Sequence, residues 1–320
     1  MRHAESTSNV SGRWQGQGDA PLSAYGEQQA VALAGRVESR LRAGWPLDEV
    51  IASDLARAAK TGRTSFEHLA IDPAWREADV GAWEGLTRAE VAERFPHELA
   101  ALAEGRRDVP LGGGESLDRF WGRIDAALAG LRARLPAEGR AVVFTHGGVI
   151  GALVAHVLGK RSVRPAIGLA RFANTAMTTL HFDEEHPQGR VLVLNDNAHL
   201  GPAALASEER RDRTLPIVTL VADEAPAPAA ELTRLAESGS ATRDALAAAL
   251  RALVEQAGGG DLEVSLSPGA LHAAVVVLAH VPEERRAALA VPPAGARSHL
   301  ALDPRLGALL VAHAITPHKL

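Results

Sequence analysis

The stretch VVFTHGGVIGALVAHVLG, residues 142–159, joins a short apolar run to an apolar helical pattern through two glycines. The run predicts a buried strand that ends at Thr145 and His146, and the helix follows the glycines directly. Glycine has no Cβ, so the backbone at this turn can approach a ligand closely. Ligands of open α/β sheets bind at the carboxyl ends of the strands, which makes His146 a candidate site residue.

Helical patterns and short strand-like runs alternate on both sides of this stretch. Helices are predicted at 26–44, 87–95 and 116–135, and strands at 48–53, 140–145, 177–182 and 190–195. Helices that alternate with short, β-branched strands are typical of an α/β layer fold. We therefore predict an α/β fold with a largely parallel sheet up to about residue 200.

The composition of the chain changes after residue 200. We predict a first domain at 1–203, a polar linker at 204–214 and a smaller α/β segment at 215–320. The last segment opens with the strand-like run LPIVTLVA, residues 215–222, and continues into a helix rich in alanine and leucine.

The C-terminal segment is similar in its pattern of elements to part of the first domain. Residues 241–281 have the same helix–strand–turn–helix pattern as residues 122–159, which suggests a degenerate partial repeat. Chance similarity between alanine-rich sequences is the alternative. If the repeat is real, Pro268 takes the position of His146, and the second copy lacks the histidine.

Charge and composition exclude several classes of partner. The net charge is -5, and the 34 lysines and arginines are dispersed along the chain rather than gathered into a basic stripe. Nucleic acids and anionic membranes are therefore poor candidates. The chain has no cysteine, which excludes disulfides and thiolate metal sites, and no apolar run reaches the length of a membrane span. We expect a cytoplasmic protein.

Arg2 and His3 form an unusual pair at the start of the chain. The permanent charge of an arginine disfavours the imidazolium form of a neighbouring histidine and so keeps the ring neutral and nucleophilic. On these two residues alone, a disordered terminus is the simpler interpretation.

Arg57 lies in the first turn of the helix predicted after strand 48–53. Cations normally favour the last turn of a helix, so an arginine here fits an anion held by its guanidinium and by backbone N–H groups. An exposed arginine with a packed stem is the alternative.

Glu77 follows a tryptophan in the stretch WREADVGAWEGLT, residues 75–87. Partial burial against the indole would raise the pKa of this carboxyl group toward the range of a general acid. Nothing local separates Glu77 from Glu84 or Glu90.

Together these positions supply two histidines, two arginines and a glutamate, a set that suits a dianionic phosphoryl group. A metal site is the rival use of His3, His146 and Glu77. We rank it lower, because two arginines in the same pocket would repel a divalent cation. The sequence has no Walker loop and no dinucleotide-binding fingerprint.

Seven motifs in residues 1–200 resemble those of the histidine phosphatase superfamily, also called the phosphoglycerate mutase-like or RHG family. They are RHAESTSN (2–9), GRWQGQGDAPLSAYGEQQA (12–30), SDLARAAKTG (53–62), WREADVGAWEGLT (75–87), GGGES (112–116), FTHGGVI (144–150) and NDNAHL (195–200). Ala4 replaces the glycine of the family's first motif. Gly-Gly-Val after His146 and the short segment before GGGES resemble the small phosphatase branch rather than the mutases.

The resemblance implies a three-layer α/β fold with a mostly parallel central sheet. It also implies that His3 becomes a phosphohistidine and that Arg2, Arg57 and His146 surround the phosphoryl group. Glu77 would protonate the leaving alcohol and later activate water. Two further positions would line the phosphate and substrate pocket: Asn9 and the Gln15-Gly16 turn.

The implied activity is hydrolysis of a small phosphate ester with no metal and no cofactor. Mutase-type phosphoryl transfer is the first alternative, and a pseudo-enzyme with a regulatory binding role is the second. The resemblance does not cover the last 115 or so residues. A homodimer stays open as the oligomeric state.

One feature departs from the family, in which a central strand precedes the Arg-His motif. Only Met1 precedes Arg2, so we expect that strand to be missing. Two explanations are open: the native chain starts upstream of Met1, or residues 215–222 lend a strand to the empty position.

Overall fold

The computed structural model describes residues 1–159, 172–201, 217–222, 230–238, 240–257, 262–279, 281–303 and 307–315. Contacts divide the chain into two compact units. The first contains Met1–Leu153 and Asn174–Ala176, and the second includes Met177–Leu320.

The first unit is an α/β structure with a three-stranded parallel sheet. Its strands are β1 (Glu49–Ala52), β2 (Ala70–Ile71) and β3 (Ala141–Phe144), in the order β2-β1-β3. Its helices are α1 (Thr7–Val10), α2 (Ala24–Arg42), α3 (Ala56–Ser65), α4 (Arg88–Arg94), α5 (Pro96–Ala103) and α6 (Leu117–Arg134), and α7 (Gly147–Val157) begins in it. Short 3₁₀ turns occupy Pro73–Trp75, Gly81–Trp83 and Leu111–Gly113.

Local sequence signals explain where the main helices begin. The hydroxyl group of Ser23 accepts the backbone N–H of Gly26 at the start of α2, and Ser116 caps α6 in the same way. Thr87 and Glu90 form a capping box that begins α4. The predicted helices, the α/β class and the parallel sheet are confirmed for this unit.

Residues 1–3 lie beside β3 as a very short extended segment. The amino group of Met1 donates to Val143 O at 2.8 Å, and the N–H of His3 donates to Thr145 O at 2.8 Å. On the other side, the N–H of Arg2 donates to Ala176 O at 3.0 Å. These bonds place the side chain of His3 next to the end of β3.

The explanation in which residues 215–222 lend a strand to the first unit is wrong. Strand β6 (Ile217–Ala222) pairs parallel with β7 (Leu262–Leu266) on one side and antiparallel with β8 (Arg297–Asp303) on the other. Both of its hydrogen-bonding edges are therefore used within the second unit.

The second unit contains a six-stranded mixed sheet in the order β4-β5-β9-β8-β6-β7. The remaining strands are β4 (Met177–His181), β5 (Arg190–Asp196) and β9 (Gly307–Ile315), and the helices are α8 (Ala230–Glu237), α9 (Arg243–Gln256) and α10 (Pro268–Leu278). Strands β4 and β5 pair antiparallel, and β5 pairs with β9 through Leu194 and His313. Among the described residues, no helix is long and apolar enough to cross a membrane.

The predicted domain boundary and the partial repeat stay predictions. Residues 202–216, which include the proposed linker, lie outside the described part of the chain. By contacts, residues 177–200 group with the C-terminal strands rather than with the first unit. The order α9–β7–α10 followed by the β8–β9 pair does match the order α6–β3–α7 followed by β4–β5.

Candidate active site

The first unit brings the predicted site residues together at the carboxyl ends of its parallel strands. His146 follows β3, Arg57 lies in the first turn of α3 after β1, and His3 ends the short segment beside β3. The ring centroids of His3 and His146 are 5.2 Å apart. A Cβ built on Gly147 would lie 3.5 Å from Nε of Arg2, so this side chain passes over the turn after His146.

The ring of His3 is buried, with 3% of the residue exposed. Its Nδ1 lies 2.7 Å from the carbonyl oxygen of Ala4. A carbonyl only accepts, so Nδ1 carries the proton and Nε2 keeps its lone pair. The N–H of Ala4 in turn donates to the hydroxyl group of Thr61 at 3.0 Å. Desolvation and the charges of Arg57 and Arg2 hold the pKa of His3 well below its usual value. The ring is therefore neutral, with Nε2 available as a nucleophile.

His146 is fully buried, and its Nε2 lies 2.9 Å from Oγ of Ser53, at the end of β1. Desolvation is the largest cause that lowers the pKa of His146 well below its usual value. The charge of Arg57 lowers it further. Both site histidines are thus neutral rings in a cationic pocket.

Arg57 is buried rather than exposed, with 1% of the residue accessible. Its terminal nitrogens donate to Gly18 O at 2.8 Å and to Gly16 O at 2.7 Å. Desolvation lowers the pKa of Arg57 to about 10, and the charges of Glu77 and Glu84 oppose this effect. The guanidinium is still charged at neutral pH.

The three glutamates that the sequence could not separate have different surroundings. Glu77 accepts the backbone N–H of Ala78 at 3.0 Å and that of Gly148 at 2.8 Å, which places its carboxylate at the start of α7. Glu84 accepts the N–H groups of a glycine loop, and Glu90 belongs to the capping box of α4. Of these three glutamates, only Glu77 forms a hydrogen bond with the turn that follows His146.

Glu84 and Arg57 both bind the backbone of the loop at residues 16–18. The carboxylate of Glu84 accepts the N–H of Gly16 at 2.8 Å and of Gly18 at 3.2 Å, whereas Arg57 binds the carbonyl groups of the same glycines. A Cβ on Gly18 would lie 2.6 Å from Oε1 of Glu84, and one on Gly16 would lie 2.7 Å from Ala78 O. A Cβ at position 16 would meet backbone, so this position needs glycine, whereas a Cβ at position 18 would displace the carboxylate of Glu84. The loop also fixes the guanidinium of Arg57.

Asn9 and Gln15 use their side-chain oxygens within the adjoining loop. Oδ1 of Asn9 accepts the N–H of Ser6 at 3.1 Å and a bond from Nδ2 of Asn174 at 3.1 Å. Asn174 also donates to His3 O at 2.9 Å, so it ties Asn9 to the backbone of His3. Oε1 of Gln15 accepts the hydroxyl proton of Ser6 at 2.7 Å. These bonds fix the positions of Asn9 and Gln15, and their contact with substrate stays a prediction.

A model of the histidine phosphatase superfamily (branch 1) matches residues 1–197, well over half of the chain. The chain belongs to this superfamily. A probable phosphoglycerate mutase, GpmB, from Enterobacter sp. (strain 638) is 31% identical over 217 residues, which is 66% of this chain and 97% of the relative.

Two solved structures extend the comparison. The mycobacterial glucosyl-3-phosphoglycerate phosphatase in complex with inorganic phosphate is 31% identical, with a TM-score of 0.51 over 62% of this chain and 96% of that chain. Mycobacterial hydrolase 2 is 30% identical, with a TM-score of 0.54 over 67% of this chain and 96% of that chain. Membership of the superfamily, together with phosphatase neighbours, supports a phosphatase or a phosphotransferase.

The structure also shows residues around the site of this superfamily member that were not selected from the sequence. Arg123 donates to Glu77 O at 3.2 Å and to Arg76 O at 2.9 Å while it pairs with Glu115 at 2.7 Å, so it holds the backbone that carries Glu77. Three further side chains hold site residues in place: Ser53 contacts His146, Glu84 binds the loop at residues 16–18, and Asn174 donates to His3 O. Ser53 and Glu84 lie within the motifs quoted above, whereas Asn174 lies in no motif that the sequence analysis identified. Among the described residues, no group of three or more His, Cys, Asp or Glu could hold a metal ion.

The loop contacts give a prediction for Glu84. Glu84→Gln removes the charge that faces Arg57. It also replaces the charged oxygen that accepts both N–H groups with a weaker, neutral acceptor, so the loop and the guanidinium should be held less firmly. We expect kcat/KM to fall about tenfold or more, because misplacement of about 1 Å is costly in an active site. Steady-state kinetics on an aryl phosphate measures the change.

The matched control is Glu90→Gln, which makes the same chemical change in a capping box that also accepts glutamine. Its kcat/KM should equal that of the wild type. Equal kinetics for both variants would mean that Glu84 does not act on Arg57.

Proposed function

We propose that the protein hydrolyses a small phosphate monoester through a phosphohistidine on His3. The observation that carries this proposal is a neutral, buried His3, with Nε2 unprotonated, beside Arg57 and His146. Arginines supply the positive charge that a dianionic phosphoryl group needs, so the reaction requires no metal ion.

The proposed reaction has two steps. In the first, Nε2 of His3 attacks phosphorus, the P–N bond forms, and the P–O bond to the alcohol breaks as Glu77 gives a proton to the leaving oxygen. In the second, Glu77 takes a proton from water, the water oxygen bonds to phosphorus, and the P–N bond breaks. Arg2, Arg57 and His146 bind the phosphoryl oxygens throughout.

The substrate class rests on the relatives. One is a glucosyl-3-phosphoglycerate phosphatase, and another is a probable phosphoglycerate mutase. We therefore propose a phosphorylated glycerate or a small phosphosugar as substrate.

Mutase activity is the second candidate, because the curated relative carries that name. A mutase would need a bisphosphate to load His3, and it would transfer phosphate to an acceptor faster than to water. Comparison of phosphate release with transfer, with and without a bisphosphate, separates the two functions.

The proposal is tested by the intermediate and by the metal requirement. The protein should hydrolyse an aryl phosphate in EDTA, be inhibited by vanadate, and yield an acid-labile, base-stable phosphoenzyme whose labelled peptide contains His3. An EDTA-sensitive activity, or a label on another residue, would contradict the mechanism.

A further inference from the structure

The two site histidines differ in the chemical nature of their hydrogen-bond partners. Nδ1 of His3 binds a carbonyl oxygen, that of Ala4, at 2.7 Å. Nε2 of His146 binds a hydroxyl group, that of Ser53, at 2.9 Å. A carbonyl can only accept a proton, whereas a hydroxyl can donate one. The protonated nitrogen of each ring therefore depends on a different kind of partner.

The surroundings of Ser53 determine the direction of its hydrogen bond. The backbone N–H of Leu55 lies 3.3 Å from Oγ of Ser53 and can only donate to it. Ser53 is fully buried, so its own hydroxyl proton needs an acceptor inside the protein. Nε2 of His146 lies within hydrogen-bond distance and can accept this proton.

The other nitrogen of His146 then carries the ring proton. Nδ1 is buried and has no hydrogen-bond partner among the described residues. A buried N–H without a partner is costly, by about 1–3 kcal/mol in general, and such groups often serve a ligand. The low pKa of His146 means that the ring has only one proton to place.

We propose that Ser53 fixes His146 as the Nδ1–H tautomer, so that His146 offers an N–H donor to the phosphoryl group while His3 offers a lone pair to phosphorus. This inference rests on the proposed function and makes Ser53 a positioning residue that acts through His146. The opposite tautomer would turn a lone pair of Nδ1 toward an anionic oxygen, which would weaken binding of the phosphoryl group.

The wild-type tautomer can be measured directly by nitrogen-15 NMR on protein labelled at histidine. We expect His146, assigned by comparison with His146→Gln, to show the shifts of a neutral ring protonated at Nδ1, and His3 likewise. Shifts of a neutral ring protonated at Nε2 in His146, or of an imidazolium at neutral pH, would overturn the proposal. This measurement needs no turnover. It can therefore contradict the proposed tautomer while the phosphatase activity is confirmed, or support the tautomer while no phosphatase activity is found.

The role of Ser53 is tested by two substitutions. Ser53→Ala removes the hydroxyl donor, so His146 should populate both tautomers. We expect kcat/KM to fall about ten- to hundredfold, by analogy with the loss of a partner that orients a metal-binding histidine. Ser53→Thr keeps a hydroxyl group and should restore the single tautomer and most of the activity.

Ser267→Ala is the matched control, because Ser267 also accepts one backbone N–H, that of Ala270 at 3.2 Å, at the start of α10. It should leave both the His146 signals and kcat/KM unchanged. If Ser53→Ala keeps the Nδ1–H tautomer, or loses it with no change in kcat/KM, Ser53 does not act as proposed. The wild-type spectrum and Ser53→Thr still decide the question if Ser53→Ala does not fold.

Discussion

Replacement of His3 with glutamine is expected to lower phosphatase activity about 10⁴-fold or more, the scale seen when a covalent nucleophile is removed. Glutamine can keep a polar contact near Ala4 O, but it offers no lone pair that can form a stable bond to phosphorus. Single-turnover kinetics and phosphoenzyme trapping measure the loss. His97→Gln, in the exposed face of α5, is the control and should behave as the wild type.

The pH dependence of phosphoenzyme formation gives a second readout for His3. The pKa of His3 lies well below 6.5, so the nucleophile stays neutral as the pH falls from 7.5 through 6.5. The rate of the first step should therefore show no loss centred at 6.5, where an ordinary histidine would become protonated. The same shift destabilises the fold as the pH falls below 6.5, because only the unfolded chain binds the proton there. Retained activity in His3→Gln would mean that another residue is the nucleophile.

The main helices and strands of the first unit, and the positions of His146 and Arg57 after strand ends, could be predicted from the sequence. The predicted helix at 116–135 is α6 at Leu117–Arg134, and the strand predicted at 140–145 is β3 at Ala141–Phe144. His146 and Arg57 follow strand ends, and parallel strands bring their carboxyl ends to one edge. Periodicity and strand ends therefore placed His146 and Arg57, whereas the roles of Arg2, His3 and Glu77 rested on the resemblance to the family.

The contacts that tune the site could not be predicted in the same way. Glu84 acts on Gly16 and Gly18 across 66 or more positions, and Asn174 reaches His3 across 171. Such side-chain contacts with distant backbone leave no periodic trace in one sequence. The grouping of β4 and β5 with the C-terminal strands was also missed, because strand pairing depends on edges that local patterns do not specify.

Glu77→Gln is expected to separate substrates by the quality of their leaving group. Glutamine can still accept the N–H of Gly148 through its carbonyl oxygen, so the contact with the start of α7 should persist, while the bond that the second carboxylate oxygen accepts from Ala78 is lost. It cannot give a proton to the leaving oxygen. For an alkyl phosphate, whose alkoxide leaves poorly, kcat/KM should fall about 10²–10⁴-fold, the usual contribution of a general acid. For p-nitrophenyl phosphate, whose phenolate leaves without a proton, kcat/KM should change far less.

The second step adds an independent signature of Glu77. Without a base to activate water, phosphohistidine should accumulate in Glu77→Gln during turnover of p-nitrophenyl phosphate, and quench experiments would detect it. Glu84→Gln should lower kcat/KM for both substrates equally, because it disturbs Arg57 and not the proton transfer. An equal loss for both substrates in Glu77→Gln, with no accumulation of phosphoenzyme, would mean that Glu77 only holds the turn after His146 in place. The loss of kcat/KM for the alkyl phosphate, relative to that for p-nitrophenyl phosphate, thus shows whether Glu77 or Glu84 is the proton donor, which the sequence alone could not decide.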